Sequence, residues 1–500
     1  MLRVLSAPRR LCTGLTRRDL LQVGGLGMLG LSAERLLELE SAAAENPTSV
    51  ASGFGKAKRC ILLFLYGSPS QLETFDMKPE APVEIRGTMK PIPSSLAGLD
   101  VCELLPQTAR IMDRVTVVRS IHHQHPVHGV AFATTGIPSI DVGMELRPYD
   151  PAHHPYFGSA VQYVDRQMGR QAERGVPQNI GLPFPFSSQR TGEVHRAGPY
   201  AAFLGSQYHP LWAEFAGEPT RSVEKTLAAT KIDCRDPYLG TTAESHFRLA
   251  TTEMPTELTV DRLDRRRSLL QQLDGARRDL ERTSSGSSLS SFQEMAFSLL
   301  TSDKVATSLD VRRESSATRE LYGHTLFGQA CLAARRTLEA GTRLVSVFWD
   351  EYGLAGDAWD THWNHFPRME DQLLPGFDRA FSGLILDLEQ RGMLEDTLVF
   401  CISEHGRTPK LNRAKGGGRD HWSRAYSALF AGGGVARGNV VGATDQHAGD
   451  VIDTPVSPKD VLATMYFLLG IDPHTRLRDR AGRAHTLMPA GSHIIPQMFA

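Results

Sequence analysis

The amino-acid sequence predicts an α/β protein with a mostly parallel, doubly wound sheet. Continuously apolar runs, such as KRCILLFLY at 58–66 and TLVFCIS at 397–403, are typical of strands that helices cover on both faces. Longer amphipathic segments alternate with these runs, as in βαβ units. Polar clusters follow several runs directly. Because ligands in open α/β sheets bind beyond the carboxyl ends of the strands, this pattern also predicts where the functional site lies.

The predicted elements follow from apolar patterning and from the residues that end each run. Gly67 bounds the first strand, and Gly470 ends the last helix. The predicted strands lie at 58–66, 115–121, 343–349 and 397–403, and the predicted helices at 260–282, 292–300, 324–339, 372–390 and 458–469.

Residues 1–44 have the order of a twin-arginine export signal. Arg17 and Arg18 precede an apolar, Gly-rich segment and then an alanine-rich end. We therefore predict export by the twin-arginine route to the periplasm or the extracellular space. An amphipathic helix that stays attached is the alternative, and retention as an uncleaved membrane anchor also stays open. Residues 45–57 are small and polar and are interpreted as a linker.

Residues 58–500 are interpreted as one domain. Within it, 139–255 is rich in Pro, Gly and aromatic residues without a strong period, which predicts a long insertion that caps or walls the site. The formal net charge is −1 and no basic run occurs, so nucleic acid is not a predicted partner. No segment after the signal is apolar for long enough to span a bilayer, and the sequence leaves the oligomeric state open.

The strand at 397–403 ends in Glu404, His405 and Gly406. Because the chain turns at the glycine, the carboxylate and the imidazole can face one crevice. Arg407 comes next, and its guanidinium is predicted to bind an oxyanion through two hydrogen bonds. The alternative for the Glu-His pair is a helix cap or a surface position.

A second polar cluster, WDTHWNH at 359–365, follows the strand at 343–349. Its Asp360 and His362 mix carboxylate and imidazole, which suits Zn²⁺ or Mn²⁺, with Ca²⁺ and Mg²⁺ as alternatives. His421 lies after three glycines on a loop that can approach closely. A histidine taken singly is more often a core or surface residue. We predict that one metal site is formed by Asp360, His362, Glu404, His405 and His421.

A run of histidines at 122–128 follows the strand at 115–121 and either lines the pocket or forms a solvated loop. His128 is preferred as a pocket residue because it directly precedes a predicted helix. His128 or His362 is predicted to act as general acid or base, since imidazole titrates near neutral pH. Ser68 and Ser70 are reserve nucleophiles, although neither has an activating base nearby in sequence.

These motifs resemble the DUF1501 family, whose members often carry twin-arginine signals. The matching segments are LFLYGSPSQLETFDMKP, WDTHWNHF, ISEHGRTP and GGRDHW, and the match covers most of 58–472. The family is grouped with the alkaline phosphatase and sulfatase superfamily. The resemblance therefore implies a three-layer α/β/α core like that of alkaline phosphatase, with a divalent metal centre.

The segment LEDTLVFCISEHG at 394–406 is similar to the sulfatase stretch in which a strand ends in Asp-His-Gly. Glu404 stands where that metal-binding Asp would be, and His405 matches the adjacent ligand. The first strand lacks the aspartates that the superfamily places at its end, so Glu73 or Asp76 would have to substitute. No Cys-x-Pro-Ser-Arg motif occurs, and we do not expect a standard sulfatase mechanism.

Together these features favour an exported, metal-dependent hydrolase of a phosphate or sulfate ester or a related anionic group. Its substrate would be a small molecule or a polysaccharide. The alternative is a non-catalytic binding protein on the same fold, for an anionic extracellular polysaccharide. The absence of an evident nucleophile favours the alternative, whereas the number of potential metal ligands favours the hydrolase.

Overall fold

The computed structural model describes residues 53–125, 128–137, 142–170, 176–191, 195–227, 230–249, 303–354 and 356–499. The predicted export signal, most of the predicted linker and the helices predicted at 260–282 and 292–300 lie outside these ranges. Among the residues described, no helix has the length and apolar character to cross a membrane.

A nine-stranded sheet forms the centre of the protein. Its strands in chain order are β1 (Arg59–Leu65), β2 (Val115–Ile121), β3 (Asn179–Leu182), β4 (Leu211–Ala216), β5 (His246–Leu249), β6 (Leu344–Trp349), β7 (Thr397–Ile402), β8 (Tyr426–Ala431) and β9 (Asn439–Val441). Across the sheet the order is β9-β2-β8-β7-β1-β6-β3-β4-β5. Only β5 and β8 run antiparallel to their neighbours, which confirms the prediction of a mostly parallel sheet.

Helices cover both faces of this sheet. The longer ones are α1 (Val130–Thr135), α2 (Phe157–Gln167), α3 (Asp303–Leu309), α4 (Ser316–Tyr322), α5 (Leu326–Glu339), α6 (Leu374–Gln390) and α7 (Pro458–Leu468). Single-turn helices lie at Val83–Arg86, Pro106–Ala109, Val142–Glu145 and His365–Arg368. Trp349 of β6 packs against Phe327 of α5 on one face, and Phe400 of β7 packs against Phe157 of α2 on the other. The core therefore has three layers, as predicted.

Burial explains why the central strands were recognisable. In β1 every residue from Cys60 to Leu65 is buried, because neighbouring strands and both helical layers enclose it. Burying one Leu or Phe side chain stabilises a fold by about 1.5–3 kcal/mol, which favours a continuously apolar run here. The predicted strands at 58–66, 115–121, 343–349 and 397–403 match β1, β2, β6 and β7 within one residue at each end.

The segment 139–255 belongs partly to the core. It supplies α2 and the strands β3, β4 and β5, which extend the sheet beyond β6. These strands have only four to six residues each, which is too short for a clear period in the sequence. This part of the chain therefore extends the central sheet. Its interpretation as an insertion that caps or walls the site stays a prediction, as do the domain boundaries.

Five two-stranded ribbons complete the described structure. Their strands are Pro91–Pro93 with Asp100–Cys102, Ser222–Leu227 with Thr230–Arg235, Gly406–Arg407 with His421–Trp422, Ala443–Thr444 with Val451–Asp453, and Arg476–Arg478 with Ala484–Thr486. The ribbon formed by Gly406–Arg407 and His421–Trp422 matters most for function, because it folds His421 back beside the end of β7.

Candidate metal centre

Parallel strand ends bring the predicted site residues together. Because β1, β6 and β7 are adjacent and parallel, their carboxyl ends meet at one edge of the sheet. His128 follows β2 and reaches the same edge, and the ribbon carries His421 there. We call the resulting cluster the histidine–carboxylate centre; it consists of His128, Asp360, His362, Glu404, His405 and His421.

His128 lies between two buried carboxylates. Its Nδ1 is 3.1 Å from Glu404 Oε1, and its Nε2 is 3.2 Å from Asp360 Oδ2. The backbone N–H of Gly67 donates to the same Glu404 oxygen at 2.7 Å. Burial lowers the pKa of His128, but Asp360 and Glu404 outweigh this and raise the pKa to about 9. In the absence of a cation, the imidazole is therefore held protonated between the two carboxylates.

Three polar atoms converge on the other side of Asp360. His362 Nε2 lies 3.1 Å from Asp360 Oδ1 and 3.1 Å from His421 Nε2, and that nitrogen of His421 is 3.4 Å from Asp360 Oδ1. His362 Nδ1 donates to Asp420 Oδ1 at 2.7 Å, so a neutral His362 turns the lone pair of Nε2 toward the other two atoms. Lone pairs that meet in this way need a proton or a cation between them.

Two buried atoms of the centre have no hydrogen-bond partner among the described residues, namely His405 Nε2 and Glu404 Oε2. His405 Nδ1 donates to the carbonyl of Gly406 at 2.8 Å, so Nε2 carries the unshared lone pair. Burial, with His421 and Arg407 nearby, lowers the pKa of His405 well below its ordinary range and keeps the ring neutral. A buried acceptor without a donor is costly, and a bound cation is one kind of partner that would satisfy such an atom.

The donor atoms fit a divalent metal ion. Among the described residues, two triplets place one ligand atom each within 4.8 Å of one another, His128-His405-His421 and Asp360-His362-His421. Mixed imidazole and carboxylate donors suit Zn²⁺ or Mn²⁺. The carboxylate of Asp420 behind His362 is the usual second partner of a metal-binding histidine. Four of the five predicted ligands, Asp360, His362, His405 and His421, belong to these triplets together with His128, whereas Glu404 belongs to neither.

The structure corrects the role predicted for Arg407. Its side chain is completely buried, and its guanidinium donates to the carbonyls of Gly67, Ser68 and Arg419 as well as to Asp360 Oδ1 at 2.6 Å. These bonds occupy the face that would have to receive an oxyanion. Arg407 therefore orients Asp360 and the turn after β1 instead of binding substrate.

Other polar residues singled out in the sequence lie away from the centre. Glu73 contacts His365 Nε2 at 3.1 Å and also binds Arg419, whereas Asp76 pairs with Lys78 at 2.9 Å. Neither replaces the missing aspartates at the end of β1. Ser68 and Ser70 are both fully buried, and Ser68 Oγ accepts the N–H of His405 at 3.1 Å, which leaves no accessible hydroxyl in the reserve nucleophiles.

Some residues that shape the centre were not foreseen. The Tyr66 ring stacks on His128 at 5.2 Å, and Gly67 binds Glu404 through its backbone. His123 Nε2 donates to the carbonyl of Glu404 at 2.8 Å and so supports the turn after β7. His123 belongs to the histidine run at 122–128, which was predicted either to line the pocket or to form a solvated loop. A backbone donor such as the N–H of Gly67 cannot be predicted from the residue type, because every residue except proline carries one.

Gly67 is expected to tolerate no side chain. Its φ is +90°, and a Cβ would lie 2.3 Å from the backbone nitrogen of Asp360. We expect Gly67→Ala to lower the free energy of unfolding by more than about 2 kcal/mol, because a backbone clash adds to the positive-φ strain. Chemical denaturation measures this, with Gly98→Ala as control, since Gly98 has a φ of +81° and nothing within 4 Å of its Cβ position. Equal losses in both variants would contradict the close-packing argument.

The fold and the centre define an α/β/α protein with a histidine- and carboxylate-rich site at the carboxyl edge of its sheet. The chain belongs to the DUF1501 family, whose model, described as "Protein of unknown function (DUF1501)", matches residues 57–499. No curated protein matches the chain.

Two solved structures illustrate the more distant similarity. Ps i-CgsB is 12% identical, with a TM-score of 0.37, and the alignment covers 83% of this chain and 72% of that one. The PsFucS1 sulfatase from Pseudoalteromonas sp. is 11% identical, also with a TM-score of 0.37, over 87% of this chain and 72% of that one. Both TM-scores are low, so the fold described above rests on the sheet topology of this protein itself.

Proposed function

We propose that this protein is an exported, metal-dependent hydrolase of a phosphate or sulfate ester or a related anionic group. The observation that supports it most is the convergence of ligand-type side chains around buried atoms, His405 Nε2 and Glu404 Oε2, that have no hydrogen-bond partner among the described residues. Buried acceptors without a donor are costly, so a cation beside them would stabilise the site.

The residues that would hold the metal are Asp360, His362, Glu404, His405 and His421. When bound, a divalent ion supplies Lewis acidity for the ester oxygen and the attacking water. The protein itself supplies rigidity: Gly67 fixes Glu404, Arg407 fixes Asp360, and Asp420 fixes the ring of His362. Such orientation lets the ligands act without rearranging during the reaction.

His128 is the residue that we propose for proton transfer. It is largely buried and touches Asp360 and Glu404, so its ring cannot turn away from the centre. Tyr66 stacks on its face and restricts it further. With Ser68 and Ser70 inaccessible, attack by water is simpler than attack by a side chain. The export part of the proposal depends on Arg17 and Arg18 and the apolar segment after them.

Metal content tests the proposal directly. We expect near-stoichiometric zinc or manganese in the purified protein by elemental analysis, and loss of that metal in Glu404→Ala and His405→Ala, since each variant removes a buried donor. His485→Ala is the matched control, because His485 pairs with Asp479 in another ribbon and touches none of the ligands. Sulfate and phosphate esters are then screened for hydrolysis with the metal-loaded protein.

The outcomes separate the two hypotheses. Bound metal together with ester hydrolysis that disappears in both ligand variants supports the hydrolase. Protein that contains no metal after purification with zinc and manganese present, and whose composition does not change in the variants, removes the basis of the proposal. The binding protein would then be the better description of this fold.

A further inference from the structure

A cleft of about 540 Å³ with a mixed polar and apolar lining opens at the edge of the sheet that carries the histidine–carboxylate centre. Small-molecule sites typically have volumes of about 300–1,000 Å³. The cleft lies between the end of β2 and the start of β8, at the same edge of the sheet as the centre. Its polar lining consists of His122, His123, Gln124, Ser423, Arg424 and Asp450.

An ion pair in the cleft is held in a defined position. Arg424 Nη2 lies 2.5 Å from Asp450 Oδ1, and the two side chains are 60% and 45% exposed, so both can reach a ligand. Trp422 supports each partner: its ring lies 5.5 Å from the Arg424 guanidinium carbon, and its indole N–H donates to the carbonyl of Gly449, next to Asp450, at 2.8 Å. The pair is therefore more ordered than an ordinary surface salt bridge.

One residue connects the cleft to the centre. The backbone N–H of His123 donates to the carbonyl of Ser423 at 2.7 Å. This hydrogen bond joins the two segments that line the cleft, one after β2 and the other before β8. The Nε2 of His123 donates to the carbonyl of Glu404 at 2.8 Å. A ligand in the cleft thus lies one side chain away from the residue that contacts His128.

We propose that this cleft binds a sugar ring, the hydroxyl-rich part of the ester whose anionic group lies at the centre. The inference rests on the proposed function and specifies its substrate class. A guanidinium next to a carboxylate presents donors and acceptors side by side, so one hydroxyl can accept from Arg424 while its neighbour donates to Asp450. The pair is neutral as a unit, and the lining combines polar groups with apolar surface that includes Val451 and Pro455. An uncharged ring with both hydroxyl groups and C–H faces fits this mixture better than a lipid.

Calorimetric binding of sugar esters to the metal-loaded protein tests the inference. The probes are galactose 6-sulfate and glucose 6-phosphate, with p-nitrophenyl sulfate and p-nitrophenyl phosphate as esters that lack a sugar. We expect Arg424→Ala and Asp450→Asn each to weaken binding of a sugar ester by about tenfold, and to weaken binding of the matching aryl ester by less than about twofold. Arg437→Ala is the control, because Arg437 forms an exposed ion pair with Glu389 and is absent from the cleft lining.

The results separate this inference from the hydrolase proposal. Sugar-ester binding that depends on Arg424 and Asp450 supports the cleft, even when no ester is hydrolysed, in which case only the hydrolase proposal fails. Equal dissociation constants in wild type and variants, equal losses for sugar and aryl esters, or no binding of any sugar ester by the wild type would overturn the inference. Melting temperatures within a few degrees of wild type show that the variants are folded.

Discussion

Replacing Asp360 with alanine is expected to abolish stoichiometric metal binding and to destabilise the protein by about 3–5 kcal/mol. Asp360 contacts His128, His362 and His421, and it also accepts from the buried guanidinium of Arg407. The carboxylate thus connects the ligand triplets and neutralises a cation that has no access to water.

The physical reason for the large effect is the charge left behind. Arg407 is fully buried, and Asp360 is its only carboxylate partner in the part of the chain that the structure describes. Loss of that carboxylate leaves a guanidinium paired with carbonyl groups alone. Removing one partner of a buried ion pair is far more costly than breaking a surface pair. Burial raises the pKa of Asp360, but Arg407 and His128 outweigh it and hold the pKa well below its ordinary value, so the group is ionised.

Asp387→Ala is the control that separates folding from metal binding. Asp387 is also buried, and it pairs with Arg335 Nε at 2.8 Å between α5 and α6. Both variants are measured by denaturant unfolding and by elemental analysis after dialysis. We expect both to lose stability and only Asp360→Ala to lose metal. A metal-replete Asp360→Ala protein, or equal metal loss in Asp387→Ala, would contradict the assignment of Asp360 as a ligand.

Glu73→Gln is expected to have the second largest effect, although Glu73 contacts none of the ligands. Glu73, His365 and Arg419 form a buried cluster, with His365 Nε2 3.1 Å from Glu73 Oε2. His365 Nδ1 lies 2.8 Å from the hydroxyl of Thr361, which separates Asp360 from His362 in the chain. The Glu73 carboxylate therefore links the loop after β1 to two other segments that carry predicted ligands. One segment contains His365 and follows Asp360 and His362, and the other contains Arg419 and precedes His421.

Without that carboxylate, the loops that position Asp360, His362 and His421 should become less rigid. We expect Glu73→Gln to weaken metal affinity by about 10–100-fold, the range found when outer partners of ligands are removed, and to cost about 3–5 kcal/mol of stability. Competition with a chelator of known affinity measures the first effect. Asp387→Ala is again the control, since it should lower stability without changing affinity. Unchanged metal affinity in Glu73→Gln would show that the cluster supports only the fold.

The Glu73 cluster also predicts a pH dependence of stability. Burial raises the pKa of Glu73, but Arg419 and His365 outweigh it and lower the pKa from 4.5 to about 2. A lowered native pKa stabilises the folded state above pH 4.5, and this contribution is lost as the pH falls toward 2. Glu73→Gln has no such proton to bind. The stability difference between wild type and variant should therefore shrink over that pH interval.

Much of the fold could be predicted because burial leaves a local record. The strands β1, β6 and β7 are enclosed on both faces, so each is a continuously apolar run in the sequence. These runs predicted the strands, and the polar residues that follow them predicted the site. β8 is also mostly buried, and it lies antiparallel between β7 and β2. Its position in the sheet could not be predicted, because the local sequence of a strand does not show which strands it pairs with. The strands of the segment 139–255 were missed because they have only four to six residues each.

The sequence by itself determined which chemistry is present: the ligand-type residues His128, Asp360, His362, Glu404, His405 and His421, mostly placed at or near strand ends where they can meet. Only the tertiary structure decided their partners. The bond from Gly67 to Glu404 and the ion pair of Arg407 with Asp360 join residues far apart in the chain. A residue type states what a side chain can donate or accept. Burial and geometry decide whether that capacity is satisfied inside the protein, as in Arg407, or finds no partner among the described residues, as in His405 Nε2.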